Sequence, residues 1–455
     1  MATDTDHTFD VIVIGLGPGG EHVAGTLAER GLRVLGVDRG LVGGECPYWG
    51  CIPSKMMIRA ADALAEARRV DGLAGSVGEV APDWSVVATR IREEATDNWD
   101  DRVAVERLTG KGATFVRGSG RVAGPGRVDV DGTAYTATRG IVVNPGTTPA
   151  VPPVEGLADT PYWTNHDIIE AAELPASLVI LGGGAIGCEL SQVMARFGVE
   201  VTVVEAADRL LAREEPEASE NLESALQADG VTVRRGVGAD RVSHDGAVFT
   251  VTLADGSSLT AEKLLVATGR HADPAAVGLD TVGVARDART APVDDRCRVA
   301  DGVWAVGDIT GKGAFTHVSM YQAGVVIRDV LGDDGPPAEY AALPRVTFTD
   351  PEVGAVGMTE EQAREALANV QVGVTPLGET TRGWIARAEG LIKVVADADR
   401  GVLVGATTMG PAGGEVLGAL AVAVHGEVPI ARLRSMIYAY PTLHRGIEDA
   451  LGRLA

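Results

Sequence analysis

Two of the chain's four cysteines, Cys46 and Cys51, stand five positions apart in GGECPYWGCIPSK, residues 43–55, with prolines at 47 and 53. A close pair of thiols can be two small buried hydrophobes, half of a zinc site, or a bridge that opens and closes. The other two cysteines, Cys188 and Cys297, lie far apart in the chain, which argues against zinc. An unbroken helix holds Cα atoms five residues apart at roughly 8–9 Å, whereas a disulfide spans about 4.4–6.8 Å. Pro47 pushes Cys46 toward an extended conformation, and Pro53 disturbs the turn that follows it. Cys46 is therefore expected just outside a helix start, with Cys51 inside it and the sulfurs within reach. A helix N-terminus and nearby Lys55 would favour the thiolate, the form that attacks disulfides. Tyr48 and Trp49, between the cysteines, either line the approach to Cys46 or pack.

Thiol chemistry needs a source of electrons, and two other segments supply a place for one. DVIVIGLGPGGEHVAGTLAERGLRVLGVD reads as a buried strand from Val11 to Ile14, a glycine turn, a helix, and a second strand from Leu32 to Val37 that ends at Asp38. Gly15, Gly17 and Gly20 satisfy the G-x-G-x-x-G pattern that lets a pyrophosphate approach the backbone, and Asp38 is placed to accept the hydroxyls of a ribose. LVILGGGAIGCELSQVMARFGVEVTVVE repeats the device with Gly182, Gly184, Gly187 and Glu205, and the first glycine and the acid are 23 positions apart in both copies. A carboxylate at 205 pairs with a 2′-hydroxyl and repels a 2′-phosphate, and Arg209 is the one local cation able to relieve that, so the second site is expected to prefer NADH over NADPH. Two dinucleotide sites in one chain imply electron passage between two cofactors.

The bulk properties fit an ordinary globular protein: 455 residues, 45% hydrophobic and 23% charged, enough for two to four packed units. A formal net charge of −23 without a basic block makes nucleic acid and acidic membrane surfaces poor partners. The N-terminus, MATDTDHTFD, lacks a basic-then-apolar signal pattern, and no apolar run approaches the about 20 residues that span a bilayer. Few cysteines and no targeting pattern place the chain in the cytoplasm.

Taken together these segments resemble the flavoprotein disulfide reductases, the pyridine nucleotide-disulfide oxidoreductase family that includes glutathione reductase, dihydrolipoamide dehydrogenase and mercuric reductase. GGECPYWGCIPSK resembles the family's redox-active disulfide, VWAVGDIT its second flavin motif, and FTHVSMYQAG the segment that continues over the flavin. LLVATGRHAD is similar to the strand closing the NAD domain, and LPRVTFTDPEVGAVGMTEEQAR to the start of the dimerisation domain. IVVNPGTTP stands where the family has Ala-Thr-Gly-Ser, with Asn144 and Pro145 as departures. The resemblance implies FAD at the first site, with Gly44, Lys55, Gly118, Gly146, Asp308 and His317 joining the glycines and Asp38. It implies NADH at the second site, with Gly269 beside it, and no metal. Electrons would pass from NADH through FAD to Cys51, Cys46 would be the outward thiol, and Lys55 would pair with Glu189.

The resemblance breaks near the C-terminus. The family's thiol reductases carry His-Pro-Thr there with a Glu five residues after the His; here the stretch is YAYPTLHRGIEDALGRLA, with Tyr440 at the His position and Arg445 at the Glu position. A phenol, with a reference pKa of about 10, is a poor proton acceptor at neutral pH. His444 would share a face with Tyr440 if the segment is helical, and Glu448 could orient it. Mercuric reductase also has a Tyr near this position, but its C-terminal cysteine pair has no counterpart here.

The expected fold is α/β: two Rossmann-like dinucleotide-binding domains plus a C-terminal α+β dimerisation domain. Residues 1–150 form the FAD domain, 151–270 the NAD domain, 271–335 a return segment, and 341–455 the interface domain, after a linker at LGDDGPPAEY. The expected function is electron transfer from NADH to a disulfide or thiol-reactive small molecule by a homodimer. The alternatives are a flavin reductase of quinones or other acceptors that bypasses the disulfide, and a mercuric-reductase-like metal reductase.

Overall fold

The computed structural model describes residues 7–455; the first six residues, part of the stretch read as leaderless, lie outside the described residues. The chain divides into two compact units. One comprises the residues up to Ser54, Ala88–Ala150 and Arg270–Glu339; the other comprises Lys55–Val87, Val151–Gly269 and Tyr340–Ala455. Residues 333–340, within the linker read from the sequence, carry no regular element.

In the first unit an eight-stranded sheet is built around the strand Thr8–Ile14, which pairs in parallel with Val34–Asp38 on one side and Thr133–Val143 on the other. Val11 and Val13 enter one hydrophobic cluster, with Leu16 of the turn and Val23 and Leu27 of the following helix, while Ile12 and Ile14 enter a second cluster on the opposite face. Burial of both faces is why this strand reads as a continuous apolar run and not as an alternation. The second strand begins at Val34 and not at Leu32, because the Leu32 amide still bonds back to the Leu27 carbonyl as the helix Pro18–Glu29 ends.

The second unit holds a four-stranded parallel sheet in the order Thr232–Arg235, Glu200–Glu205, Ser177–Leu181, Lys263–Val266, the frame of the second dinucleotide fold. It also holds a three-stranded antiparallel sheet between residues 239 and 261, and a five-stranded antiparallel sheet between 344 and 410 covered by the helix Gly413–His425. The mixed α/β fold class is therefore as read. No helix among the described residues is long and apolar enough to cross a membrane.

Two charged clusters tie the second unit together. Arg196, 2% exposed, meets Asp62, Asp229 and Asp350 at 2.7–2.9 Å. Lys393, also 2% exposed, meets Glu215, Glu217 and Glu360 at 2.8–2.9 Å. Three carboxylates around each cation compensate its lost hydration, and removing the cation would leave buried charge unpaired. These neighbours hold Lys393 charged well above its usual range against the opposing effect of burial.

Lys393→Met is expected to destabilise the protein by about 3–5 kcal/mol, read as a fall in the thermal unfolding midpoint at pH 7.

Candidate active site

The thiol pair lies in the first unit, held by two helices where the sequence suggested one. Cys46 is the second residue of a single helical turn, Glu45–Tyr48, and Cys51 opens the helix Cys51–Arg68. Cys46 is thus helical and not extended. Pro47 and Pro53 each occupy the third position of their helix, where an amide hydrogen would have no intrahelical partner, so neither disturbs its turn. The break falls at Trp49–Gly50. A Cβ on Gly50 would come within 3.0 Å of the Glu45 carbonyl, which is how closely the two helices meet.

Both cysteines are free thiols in this structure, Cys46 half-buried and Cys51 exposed. The two thiols hydrogen-bond to each other, and this contact, reinforced by burial, pushes the Cys46 thiol far above its ordinary range. The expected lowering does not apply to Cys46: it is the partner that keeps its proton. Tyr48 is buried and its hydroxyl donates to the Val42 carbonyl at 3.2 Å. It therefore packs under the glycine loop and does not line an approach.

The first glycine turn is shaped for close contact with a ligand. A Cβ at Gly15, whose φ is +88°, would lie 2.2 Å from the Asn144 carbonyl, and one at Gly44 would lie 2.8 Å from the Gly17 Cα. The helix Pro18–Glu29 starts at Gly17 with no side-chain cap, which suits a pyrophosphate. The Asp38 carboxylate, at the end of its strand, accepts from the amides of Leu16 (2.6 Å) and Gly40 (2.8 Å). Gly118 donates its amide to the Asp38 carbonyl at 2.9 Å. Asn144, a departure from the family pattern, is a buried brace: its Oδ1 accepts from Gly20 N and its Nδ2 donates to Val306 O.

Asp308 accepts from the Thr147 hydroxyl at 2.9 Å, and Arg270 donates to the same hydroxyl at 2.7 Å and to the Thr147 carbonyl at 2.8 Å. Arg270 also lies 3.6 Å from Glu45, beside Cys46 in the chain. Burial pushes the Asp308 carboxyl up, opposed by the Thr147 hydrogen bond and the Arg270 charge. Gly146 adjoins this group in sequence, and the His317 ring stacks on Phe315 at 5.1 Å. Arg270 and Thr147 were missed in the sequence, although Arg270 directly follows Gly269; their link exists only because residues 148–149 and 270–271 pair as short strands.

In the second unit the other glycine turn has the same form. Gly187 packs so tightly that a Cβ would meet the Gly182 carbonyl at 1.9 Å, Gly184 begins an uncapped helix, and a Cβ on Gly184 or Gly269 would meet open space. Glu205 accepts from Gly183 N at 2.6 Å and Ala207 N at 2.7 Å. Arg209 turns away from this carboxylate to donate to the carbonyls of Ala212 and Glu214. Cys188 is fully buried, its thiol donating to the Gly183 carbonyl and pushed up by burial, so it belongs to the packing.

The same helix, Ala185–Arg196, presents Glu189, Gln192 and Arg196 as a polar ladder. Glu189 takes the Lys55 ammonium at 2.8 Å and the Phe348 amide at 2.8 Å, and Lys55 sits 4.6 Å from the centre of the Phe348 ring. Gln192 bonds both the amide and the carbonyl of Asp350. The spacing of three and four residues is that of one helix face, so the ladder anchors the Lys55 helix and the 348–350 segment together.

At the C-terminus the suggested repair of the missing base does not form. Residues 440–445 are turn and loop, and the helix starts only at Gly446, so His444 and Tyr440 share no helical face. The His444 ring lies by Tyr438 at 6.1 Å, and Glu448 pairs with Arg445 at 3.0 Å and not with His444. Arg445 stands over the Tyr440 ring at 5.4 Å, and the Tyr440 hydroxyl donates to Thr381 at 3.3 Å. The two departures from the family pattern thus answer each other, a cation over an aromatic face where the family pairs imidazole with carboxylate.

Comparison with known proteins agrees with this geometry. Residues 9–323 match the pyridine nucleotide-disulphide oxidoreductase family, and residues 343–451 match its dimerisation domain. The chain is 32% identical to the dihydrolipoyl dehydrogenase of Chlorobaculum tepidum, over 97% of this chain and 96% of that one. It is 31% identical to the mercuric reductase of Streptomyces lividans, over 98% and 96%. Among solved structures, the HOCl-induced flavoprotein disulfide reductase RclA from Escherichia coli, as its Cu(II) complex, superposes with a TM-score of 0.85 at 27% identity, covering 98% of this chain and 99% of that one. The chain belongs to the pyridine nucleotide-disulphide oxidoreductase family. It is an FAD-dependent, pyridine-nucleotide-using oxidoreductase of the disulfide reductase type.

Glu189→Ala removes the acceptor of the Phe348 amide and the carboxylate paired with Lys55, and is expected to cost about 1–3 kcal/mol. Glu189→Gln, which can still accept from Phe348, should cost less than about 1 kcal/mol. Thermal unfolding of the two variants beside wild type checks the order.

Proposed function

We propose that the chain takes electrons from NADH and delivers them, through the Cys46–Cys51 pair, to a disulfide or another thiol-reactive small molecule. The contact between two thiols brought together across a helix break carries this reading, because packing alone does not require sulfur facing sulfur. FAD, which supplies two-electron transfer between a nicotinamide and a disulfide, would be held by the Gly15–Gly20 turn, Asp38, Gly44, Gly118, Gly146, Asp308 and His317. Thr147 and Arg270 would fix Asp308 as hydrogen-bond acceptor there. The Gly182–Gly187 turn and Glu205 would hold NADH. Arg209 is engaged with main-chain carbonyls and the Glu205 carboxylate itself repels a 2′-phosphate, which supports NADH over NADPH. Lys55, pinned by Glu189, keeps the cationic role that the family resemblance implies.

In this reading the FAD domain runs to 150, the NAD domain covers 151–270, the return segment 271–335, and the interface domain 341–455. The working unit is a homodimer in the cytoplasm. Trp384, Ile385, Val422 and Ile437 of the dimerisation domain are exposed, and such apolar groups favour burial against a second copy. Tyr440 supports a second reading. A phenol beneath an arginine is no base for thiol exchange, which suits acceptors such as quinones that take electrons without it; metal-ion reduction, named by the mercuric reductase relatives, needs no such base either.

The deciding experiment reduces the enzyme anaerobically with NADH, quenches with an alkylating reagent, and counts labelled Cys46 and Cys51 by mass. Two thiols gained per chain, with disulfide turnover lost in Cys46→Ser, is the expected result. Quinone turnover unaffected by Cys46→Ser, with the cysteines never reduced by NADH, would move the second reading to first place. In the same preparation Glu205→Ala should narrow the NADH-over-NADPH preference in kcat/KM by about tenfold.

A further inference from the structure

Thr316 opens the 16-residue helix Thr316–Leu331, and its Oγ1 lies 3.3 Å from the Cys51 sulfur. The same hydroxyl also acts on Cys46, opposing the upward push on its thiol. One side chain on a different element thus touches both thiols. That element is anchored independently of them. Gln322, two turns on, accepts from Gly307 N at 2.7 Å and donates to Thr310 at 3.0 Å, and Ser319 lies 3.5 Å from the Asn144 amide nitrogen. Phe315, the residue before the helix, offers no side-chain cap.

We propose that Thr316 is a positioning residue for the redox pair, its hydroxyl donating to the Cys51 sulfur so that the reduced state is favoured over the disulfide. This rests on the reading of the pair as a redox couple. A hydroxyl has one proton to give, and a thiolate, unlike a disulfide sulfur, is a strong acceptor for it. Reduction by NADH breaks the S–S bond with two electrons: NADH and the disulfide give NAD⁺, one thiol and one thiolate, the transferred hydrogen ending as the thiol proton. Cys46, whose thiol is pushed up, is the thiol, and Cys51 is the thiolate that takes the Thr316 proton in a charge-assisted hydrogen bond. A disulfide has no S–H to donate and no charged sulfur to accept, so the hydroxyl acts on one redox state only.

The test equilibrates the holoenzyme with glutathione and glutathione disulfide at pH 7, where the protein disulfide and two glutathiones exchange with the dithiol and one glutathione disulfide. Alkylation and mass measurement then give the reduced fraction. Thr316→Val is expected to shift the equilibrium about tenfold toward the disulfide, and Thr316→Ser to keep the wild-type value. Thr316→Ala removes the hydroxyl without adding bulk and should shift as valine does; it decides the matter if the valine variant folds poorly. Loss of the hydroxyl without a shift, against an intact wild-type couple, overturns this inference alone, as does a serine variant shifted as far as valine. Wild-type cysteines that never interconvert would overturn the redox reading as well.

Discussion

Sulfur atoms on residues 46 and 51 cannot meet along a continuous helix, so the local architecture depends on where the helix is interrupted. The interruption is supplied by Trp49 and Gly50, between one turn of helix and a second, long one. Pro47 and Pro53 are compatible with it because each lies in a first turn, where no amide hydrogen is needed. The neighbouring glycines follow from the same constraint: Gly44 leaves no room for a Cβ against Gly17, so the segment carrying the thiols lies directly on the first dinucleotide turn. Chemistry and cofactor fold are coupled here through backbone contact, which only glycine permits at that distance.

Polar side chains then hold what the glycines bring close. In the first unit Asn144 braces the turn against the strand Val303–Ala305 and its extension, while Arg270 and Thr147 fix the buried Asp308. In the second, one face of the helix Ala185–Arg196 carries the contacts that fix Lys55 and the 348–350 segment. Each is a satisfied network, which makes its members costly to replace singly. Tyr440 and Arg445, at the two positions where the family pattern has imidazole and carboxylate, likewise keep a mutual contact. What changes is the proton chemistry on offer at that position.

The two dinucleotide folds, their acids and the thiol pair were legible in the sequence because each depends on short-range rules: glycine spacing, apolar runs and a terminal carboxylate repeat within about thirty residues. The pairing of Lys55 with Glu189 was reached through family resemblance, as the two are 134 positions apart. The helix assignments around Cys46 and Tyr440 went astray for local reasons. A proline reads as a breaker unless its position within the turn is known, and a four-residue spacing implies a shared face only if a helix is present.

By itself, then, the amino-acid sequence determined the class of protein, the two glycine turns with their terminal acids and the close spacing of Cys46 and Cys51, since these reside in residue types at fixed spacing. Tertiary structure alone decided that Thr316 touches both thiols from 265 positions beyond Cys51, that Arg270 reaches Asp308 through Thr147, and that His444 lies by Tyr438. These contacts join segments remote in the chain, and no local periodicity encodes them. They arise when sheets and helices bring distant residues within a few ångströms, the range at which hydrogen bonds and charges act.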